Sequence, residues 1–124
     1  MPQLNRLALS ALAVACVLAP TAGRAADDGE AIFKRNCFMC HTVEPGKNKI
    51  GPSLFGVVGR ESGTAPDFNY SEGMKNFKHQ WTPEELDTYL ADPRKVVPGT
   101  KMIFPGLKED KDRQDVITYL ETLK

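Results

Sequence analysis

The stretch Cys37-Phe38-Met39-Cys40-His41 decides how this chain is interpreted. Its two thiols lie one helical turn apart, so both can bond to vinyl carbons of one porphyrin. The histidine that follows can place its imidazole under the porphyrin iron. C-x-x-C-H is the pattern of covalent haem attachment. The sequence therefore predicts one haem c (iron), attached at Cys37 and Cys40, with His41 as an axial iron ligand.

Three other interpretations of the two cysteines are weaker. A structural zinc site needs four ligands, and outside the motif the chain adds only Cys16 and His79 as thiol or imidazole donors. A thioredoxin-like dithiol needs a βαβ setting, and no buried strand pattern lies nearby. A disulfide between Cys37 and Cys40 would close a loop too short to remove much entropy from the unfolded chain.

Residues 1–25 have the composition of a secretory signal peptide. Arg6 provides the positive start, residues 7–18 form an apolar stretch too short to span a bilayer comfortably, and Ala25 lies among small residues suited to cleavage. We expect cleavage near this point and a mature protein in the periplasm. Lipid attachment at Cys16 is the alternative.

The net charge and the length of the chain indicate which classes of protein it can belong to. Removal of the leader takes away two of the 16 basic residues and none of the 16 acidic ones, which leaves a net charge of about −2. This balance argues against nucleic-acid binding. Residues 26–124 are enough for one domain with a modest core, and no further apolar run suggests a membrane anchor. We expect a soluble monomer.

The remaining pattern predicts an all-α fold. Carboxylates at 27–30 suit the start of a first helix that delivers the cysteines. A short helix is expected over 71–77. The next one starts at Thr82, where Glu85 would complete a capping box, and it stops before Pro93. A last helix is expected over 110–123.

Long loops connect these helices. Prolines and glycines are too dense between residues 42 and 68 for regular structure, so this stretch is expected to wrap over one haem edge. The sequence thus predicts a single domain of three main helices and a short one, wrapped with long loops around a covalent haem. The buried haem would add apolar contact area that the short chain lacks.

The second axial ligand separates an electron carrier from a sensor or an enzyme. Met39 lies inside the motif and cannot reach across the ring, Met74 is typical of core filling, and His79 is typical of a solvated loop. Met102 instead follows a Pro-Gly segment, 97–102, that is not helical. With a methionine opposite a histidine, both axial positions are filled, which suits one-electron transfer rather than oxygen or peroxide chemistry.

The chain resembles the class I c-type cytochromes, specifically the mitochondrial-like soluble cytochrome c of alphaproteobacterial periplasms. The resemblance covers essentially the whole mature region. The matching residues, in chain order, are Gly29, Phe33, Cys37 to His41, Gly51-Pro52-Ser53-Leu54, Gly56, Gly59-Arg60, Phe68-Asn69-Tyr70, Trp81, Leu86, Tyr89-Leu90, Pro98 to Phe104 and Tyr119-Leu120.

This resemblance implies roles for residues around both ligands. Pro52 would offer its backbone carbonyl to the outer nitrogen of His41 and so orient the ring. Tyr89 and Thr100 would form hydrogen bonds around the sulfur of Met102. A further set would surround a haem propionate: Arg60, Tyr70 and Trp81. For Trp81 and Tyr89, ordinary aromatic core packing is an equally good explanation, and both roles can coexist.

Three positions depart from the pattern of the mitochondrial members. Met74 stands where asparagine is usual, and it would remove a polar group near the haem. Lys78 replaces a usual glycine, which strains the turn if a positive φ is required. Pro105 replaces a usual alanine and restricts the loop after the axial methionine. These departures affect the reduction potential rather than the choice of ligands.

The resemblance implies a diffusible electron carrier and not an enzyme. Its partners would be a cytochrome bc complex and a terminal oxidase or photosynthetic reaction centre. A dedicated electron acceptor for a periplasmic dehydrogenase is the alternative, and a haem sensor or peroxidase is a third possibility. Basic residues are expected to form the docking face: Lys34, Lys47, Lys49, Arg94, Lys95 and Lys101. Acidic residues lie on later helices: Glu84, Glu85, Asp87, Asp110, Asp112 and Asp115.

Overall fold

The computed structural model describes residues 21–124, which form five helices joined by long loops. The helices are α1 (Thr21–Asn36), α2 (Glu72–Phe77), α3 (Pro83–Ala91), α4 (Pro93–Val96) and α5 (Asp110–Glu121). Within these residues the only β-type pairing is an isolated antiparallel bridge between Glu61 and Gln80. The all-α class predicted from the sequence is confirmed.

The first and last helices, α1 and α5, pack against each other at a close crossing. Gly29 of α1 allows the approach, because a Cβ atom there would collide with the backbone carbonyl of Asp115 and lie 2.8 Å from the Cβ of Tyr119. One turn later, the ring of Phe33 lies 5.7 Å from the Tyr119 ring, centroid to centroid. This crossing fixes the end of α1, where the haem-attachment motif begins.

The start of α1 differs from the sequence prediction. The carboxylates of Asp27 and Asp28 were expected in the first turn, but the helix begins at Thr21 and its first turn holds no acidic residue. Residues 21–26 belong to the same helix, so Asp27 and Asp28 lie in its second turn. The leader predicted for residues 1–25 falls mainly outside the described residues, and its removal remains a prediction.

Side-chain caps set the starts of α2 and α3, and the one at Thr82 was predicted. The Ser71 hydroxyl accepts a hydrogen bond from the Met74 amide, and the Thr82 hydroxyl accepts one from the Glu85 amide. The second half of the expected capping box is wrong, because the Glu85 carboxylate binds the imidazole of His79 at 3.1 Å instead. The Thr82 amide, which would have donated to this carboxylate, donates to the Gln80 carbonyl at 2.8 Å.

A second short helix was not anticipated. Helix α3 ends before Pro93 as expected, but the chain resumes at once as α4. The Asp92 carboxylate caps it by accepting a hydrogen bond from the Lys95 amide, and Pro93 is favourable at the first helical position. The irregular segment that leads to Met102 therefore starts after Val96.

Two hydrophobic clusters fill the interior. One contains Ile32 and Phe33 of α1 and has Cys37 packed against it, whereas the other contains Trp81 and Tyr89 and has Met102 packed against it. Three half-buried residues pack against both clusters: Leu54, Leu90 and Tyr119. The attachment motif and the candidate methionine therefore belong to adjoining parts of one core.

Candidate haem centre

The C-x-x-C-H motif forms a helical turn directly after α1. The Cys37 amide donates to the Phe33 carbonyl at 2.8 Å, and the His41 amide donates to the Cys37 carbonyl at 2.9 Å. Cys37 and Cys40 are half-buried free thiols. Burial, and to a lesser extent the neighbouring Cys40, raises the pKa of Cys37 to about 11.

The imidazole of His41 is oriented by the loop opposite it. Its Nδ1 atom lies 2.7 Å from the backbone carbonyl of Pro52 and donates a hydrogen bond to it. Burial lowers the pKa of His41, and the nearby Lys49 ammonium lowers it further, although the Pro52 bond opposes both. These effects favour a neutral imidazole with Nε2 as the lone-pair donor, which is the form that binds a metal.

Gly51 provides the space for this ring. A Cβ atom at that position would lie 2.8 Å from His41 Nδ1 and closer still to Cε1. The Gly51 amide also donates to the Cys40 carbonyl at 2.7 Å. The loop at Gly51 is therefore hydrogen-bonded to the C-x-x-C-H motif through its backbone. The close approach leaves the His41 ring no room to tilt towards this loop.

Met102 is half-buried on the segment that follows α4. The Tyr89 hydroxyl lies 3.9 Å from its sulfur and donates a weak hydrogen bond to it. The Met102 amide donates to the Thr100 hydroxyl at 3.2 Å. Burial raises the pKa of Tyr89, which a contact with Thr100 partly offsets, so the phenol remains protonated and able to donate. Both residues implied by the resemblance thus lie beside Met102.

Arg60 is anchored by backbone carbonyls and keeps one donor unused. Its two terminal nitrogens donate to Phe55 at 3.1 Å and to Ser53 at 3.2 Å. Its Nε atom is buried without a hydrogen-bond partner among the described residues. Burial lowers the pKa of Arg60, but a guanidinium stays charged at neutral pH. A half-buried guanidinium with an unused, buried Nε donor fits a carboxylate ligand such as a haem propionate.

The two aromatic residues expected near Arg60 are placed differently from each other. The buried Trp81 donates its backbone amide to the Arg60 carbonyl at 2.9 Å, so these residues are direct neighbours. The Tyr70 hydroxyl accepts a hydrogen bond from the Ala65 amide at 3.0 Å. The described structure thus places Trp81 directly beside Arg60, and the role of Tyr70 at a propionate remains a prediction.

The competing ligand candidates have other environments. Met39 is 81% exposed, and Met74 is buried in the core cluster of Trp81 and Tyr89. His79 is exposed, as expected for a loop histidine, but its ring also stacks on Phe77. None of these three has the contacts that surround Met102.

Comparison with known proteins agrees with this geometry. The family model described as Cytochrome c matches residues 26–124. The chain belongs to the cytochrome c family. It is 50% identical to cytochrome c2 of Rhodopila globiformis over 97 residues, which cover 78% of this chain and 92% of that protein. A cytochrome cy of Rhodobacter capsulatus is 53% identical over 95 residues, 77% of this chain and 47% of that protein.

A solved structure shows the same fold. Cytochrome cH from Methylobacterium extorquens superposes with a TM-score of 0.74 and is 44% identical, and the match covers 78% of this chain and 97% of that one. The protein is therefore a class I c-type cytochrome, and one covalent haem c with iron is its cofactor.

The described residues fit this cofactor. Large apolar side chains are exposed beside both ligand segments of the cytochrome, where they would otherwise be unfavourable in water: Phe38, Met39, Ile50 and Ile103. Together with the unused Arg60 donor, they describe a site for an apolar ring with an anionic edge. Between residues 21 and 124, no helix has the length and hydropathy needed to cross a bilayer.

Sequence reasoning missed several supporting residues of this cytochrome. Asn48 binds the Ser53 amide through its side-chain oxygen and the Pro66 carbonyl through its nitrogen, and so ties two loop segments together. Arg113 is buried on α5 and links that helix to Asp87 of α3. A polar residue in a loop or helix gives no sequence signal for such roles, because its partners are distant in the chain.

Proposed function

We propose that this cytochrome is a soluble periplasmic one-electron carrier. Cys37 and Cys40 would hold the haem covalently, and His41 and Met102 would be its axial iron ligands. The bound haem would supply a one-electron ferric/ferrous couple. The observation that carries the proposal is the contact between the Tyr89 hydroxyl and the Met102 sulfur, because it orients a thioether on a segment that has no helical packing role.

The surrounding residues explain why such a site suits electron transfer. Pro52 fixes the tautomer and orientation of His41. Tyr89 and Thr100 fix Met102 from the other part of the core. Ligands held this way need little rearrangement when the iron changes charge. Methionine opposite histidine also raises the reduction potential relative to two histidines.

The ligand assignment is tested by absorption spectroscopy of the purified ferric protein. We expect the weak near-infrared band of a thioether bound to ferric iron, and we expect Met102→Ala to abolish it. Met74→Leu and Met39→Leu are matched controls that should keep the band. A resting high-spin iron that binds carbon monoxide readily would instead contradict the carrier and favour a sensor or peroxidase.

The compartment is tested by the mass of the mature chain. Cleavage after Ala25 or Ala26 would leave Asp27 and Asp28 in the first turn of a shortened α1, where carboxylates are favourable. We expect the protein in the periplasmic fraction to start at Ala26 or Asp27. A mass that retains residues 1–25, or a lipid on Cys16, would contradict this.

The docking face is smaller than the sequence suggests. Lys34 pairs with Glu30 at 2.6 Å, and Lys47 pairs with Glu44 at 3.1 Å. These two charges are partly neutralised. The Lys101 ammonium donates to the backbone carbonyl of Asn69. Because a carbonyl is neutral, the positive charge of Lys101 is not offset. Of the six basic residues expected on the docking face, the other four form no salt bridge within residues 21–124: Lys49, Arg94, Lys95 and Lys101.

We propose that these four charges steer a monomeric cytochrome to acidic surfaces of membrane redox complexes. The donor would be a quinol-oxidising cytochrome bc complex, and the acceptor a terminal oxidase or photosynthetic reaction centre. Measurement of the reduction and oxidation of the purified protein by isolated membranes, with selective inhibitors, tests both partners. Reduction by a periplasmic dehydrogenase alone would favour the role of a dedicated electron acceptor.

A further inference from the structure

A row of aromatic rings runs from the protein surface to Met102. The exposed His79 ring stacks on Phe77 with 4.0 Å between centroids and 17° between planes. Phe77 lies 5.6 Å from Trp81, and Trp81 lies 4.8 Å from Tyr89. The Tyr89 hydroxyl then reaches the Met102 sulfur at 3.9 Å. We call His79, Phe77, Trp81 and Tyr89 the aromatic row.

The outer end of the aromatic row depends on an unusual turn. Lys78, between Phe77 and His79, adopts φ 49° and ψ 41° in the left-handed region. This turn brings the rings of residues 77 and 79 face to face, whereas residues two apart do not face each other on a helix. The backbone of His79 is anchored twice by the buried Ser62, whose hydroxyl accepts from the His79 amide at 3.1 Å and whose amide donates to the His79 carbonyl at 2.8 Å.

Helix α3 contacts both ends of the aromatic row. Glu85, in its first turn, binds His79 Nδ1 at 3.1 Å. Tyr89 follows four residues later, and residues spaced by four lie on one face of a helix. Helix α3 therefore contacts the surface end of the row, His79, through the Glu85 carboxylate. It also contains the inner end of the row, Tyr89. A shift of His79 would change the position of Phe77 and Trp81 relative to the same helix.

Other charged groups do not compete for this contact. Within the described residues, Glu85 is the only carboxylate that forms a salt bridge with His79. Lys78 precedes it in the chain, and Glu61 lies across the isolated bridge from Gln80. The side chains of His79 and Glu85 are 49% and 36% exposed. An exposed pair of this kind adds little to the free energy of unfolding. What sets this pair apart from other surface pairs is its position at the end of the aromatic row.

We propose that His79 and Glu85 are positioning residues for the axial methionine. By fixing Phe77 and, through it, Trp81, the pair holds the Tyr89 hydroxyl on the Met102 sulfur. This inference rests on the proposed function, because the contact affects the iron only if Met102 is its ligand. It adds a surface pair, remote from the haem ligands in sequence, to the residues that control axial ligation.

The test is the rate at which added imidazole displaces the thioether from ferric iron in the haem-loaded protein. The loss of the near-infrared band reports the exchange. We expect Glu85→Ala and His79→Ala each to accelerate displacement about threefold, an effect the size of one weak hydrogen bond. The double variant should be no faster than either single variant. Glu84→Ala, an exposed carboxylate in the same helical turn, is the matched control and should leave the rate unchanged.

The outcomes separate this inference from the proposed function. If the parent protein lacks the near-infrared band, ligation by Met102 is wrong and the positioning role is overturned with it. If the parent shows the band but Glu85→Ala exchanges no faster than Glu84→Ala, only the positioning role is overturned. A lower denaturant midpoint for Glu85→Ala without faster exchange would also overturn it, because the pair would then serve stability alone.

Discussion

The imidazole of His41 is held between the carbonyl of Pro52, 2.7 Å from Nδ1, and the backbone of Gly51, where even a methyl group would collide with the ring. One dipeptide therefore fixes both the tautomer and the tilt of the proposed iron ligand. The hydrogen bond leaves Nε2 as the free lone pair, and the missing side chain permits the close approach.

Gly51→Ala tests this arrangement. The added methyl must displace the His41 ring, so we expect a loss of stability of about 1–3 kcal/mol, typical of overpacking, together with a smaller fraction of chain that carries haem. Thermal unfolding and the haem-to-protein absorbance ratio measure both effects. Gly46→Asn is the control, because a Cβ there meets open space and asparagine tolerates positive φ. Equal behaviour of the two variants would contradict the prediction.

Tyr89→Phe tests the hydrogen bond to the sulfur. Donation from Tyr89 draws electron density from the Met102 thioether and so favours ferrous iron. Without the hydroxyl, we expect the reduction potential to fall by about 20 mV, equivalent to about 0.5 kcal/mol for one electron and at the weak end for a hydrogen bond. Potentiometric titration measures it. An unchanged or higher potential would show that the 3.9 Å contact does not tune the iron.

Lys78→Gly tests the strained turn after α2. Lysine in the left-handed region costs about 1–2 kcal/mol, whereas glycine adopts φ 49° freely. We expect a net gain of about 0.5–1 kcal/mol in the free energy of unfolding, since glycine also adds entropy to the unfolded chain. Urea titration measures it. Lys75→Gly, inside α2, should destabilise the protein, and a destabilised Lys78→Gly would be the contrary result.

Arg113→Met tests the link between α3 and the start of α5. Hydrogen bonding to Asp87, then to Asp110, raises the pKa of Arg113, so its guanidinium is charged. It also donates to the carbonyls of Leu107 at 2.8 Å and Lys108 at 3.2 Å. Loss of these bonds should cost about 2 kcal/mol, measured by urea titration.

The exposed Arg35 on α1 provides the control for that experiment. We expect Arg35→Met to change stability by less than about 0.5 kcal/mol, as is usual for surface positions. If both arginine variants lose the same amount, the cost reflects charge alone and the bridging role of Arg113 is wrong.

We expect basic residues with and without a salt-bridge partner to differ in their effect on association with a redox partner. At low salt, the double variant Arg94→Gln, Lys95→Gln should slow reaction with a membrane redox partner about threefold, because both charges contribute to steering. The double variant Lys34→Gln, Glu30→Gln should change the rate little, because it removes a cation and its paired anion together and leaves the net charge unchanged. Stopped-flow measurements over a range of ionic strength compare them. Rates that do not depend on salt would contradict electrostatic steering.

Sequence alone determined the cofactor motif and most helix boundaries. Cys37 to His41 form one local turn, and the caps at Ser71 and Thr82 act within three residues. Such features depend on neighbours in the chain, so they can be predicted without the fold. The family resemblance then supplied the residues around Met102, which local reasoning could not have connected.

Only the tertiary structure decided which distant groups meet. Glu85 was expected to close a capping box, yet its carboxylate binds His79 because the left-handed turn at Lys78 brings that imidazole to the helix. The guanidinium of Arg113 on α5 binds the carboxylate of Asp87 on α3, although the two residues are 26 positions apart in the chain. The sequence determines local backbone geometry through sterics and capping, whereas ion pairs and ring contacts between distant segments exist only after the core has closed.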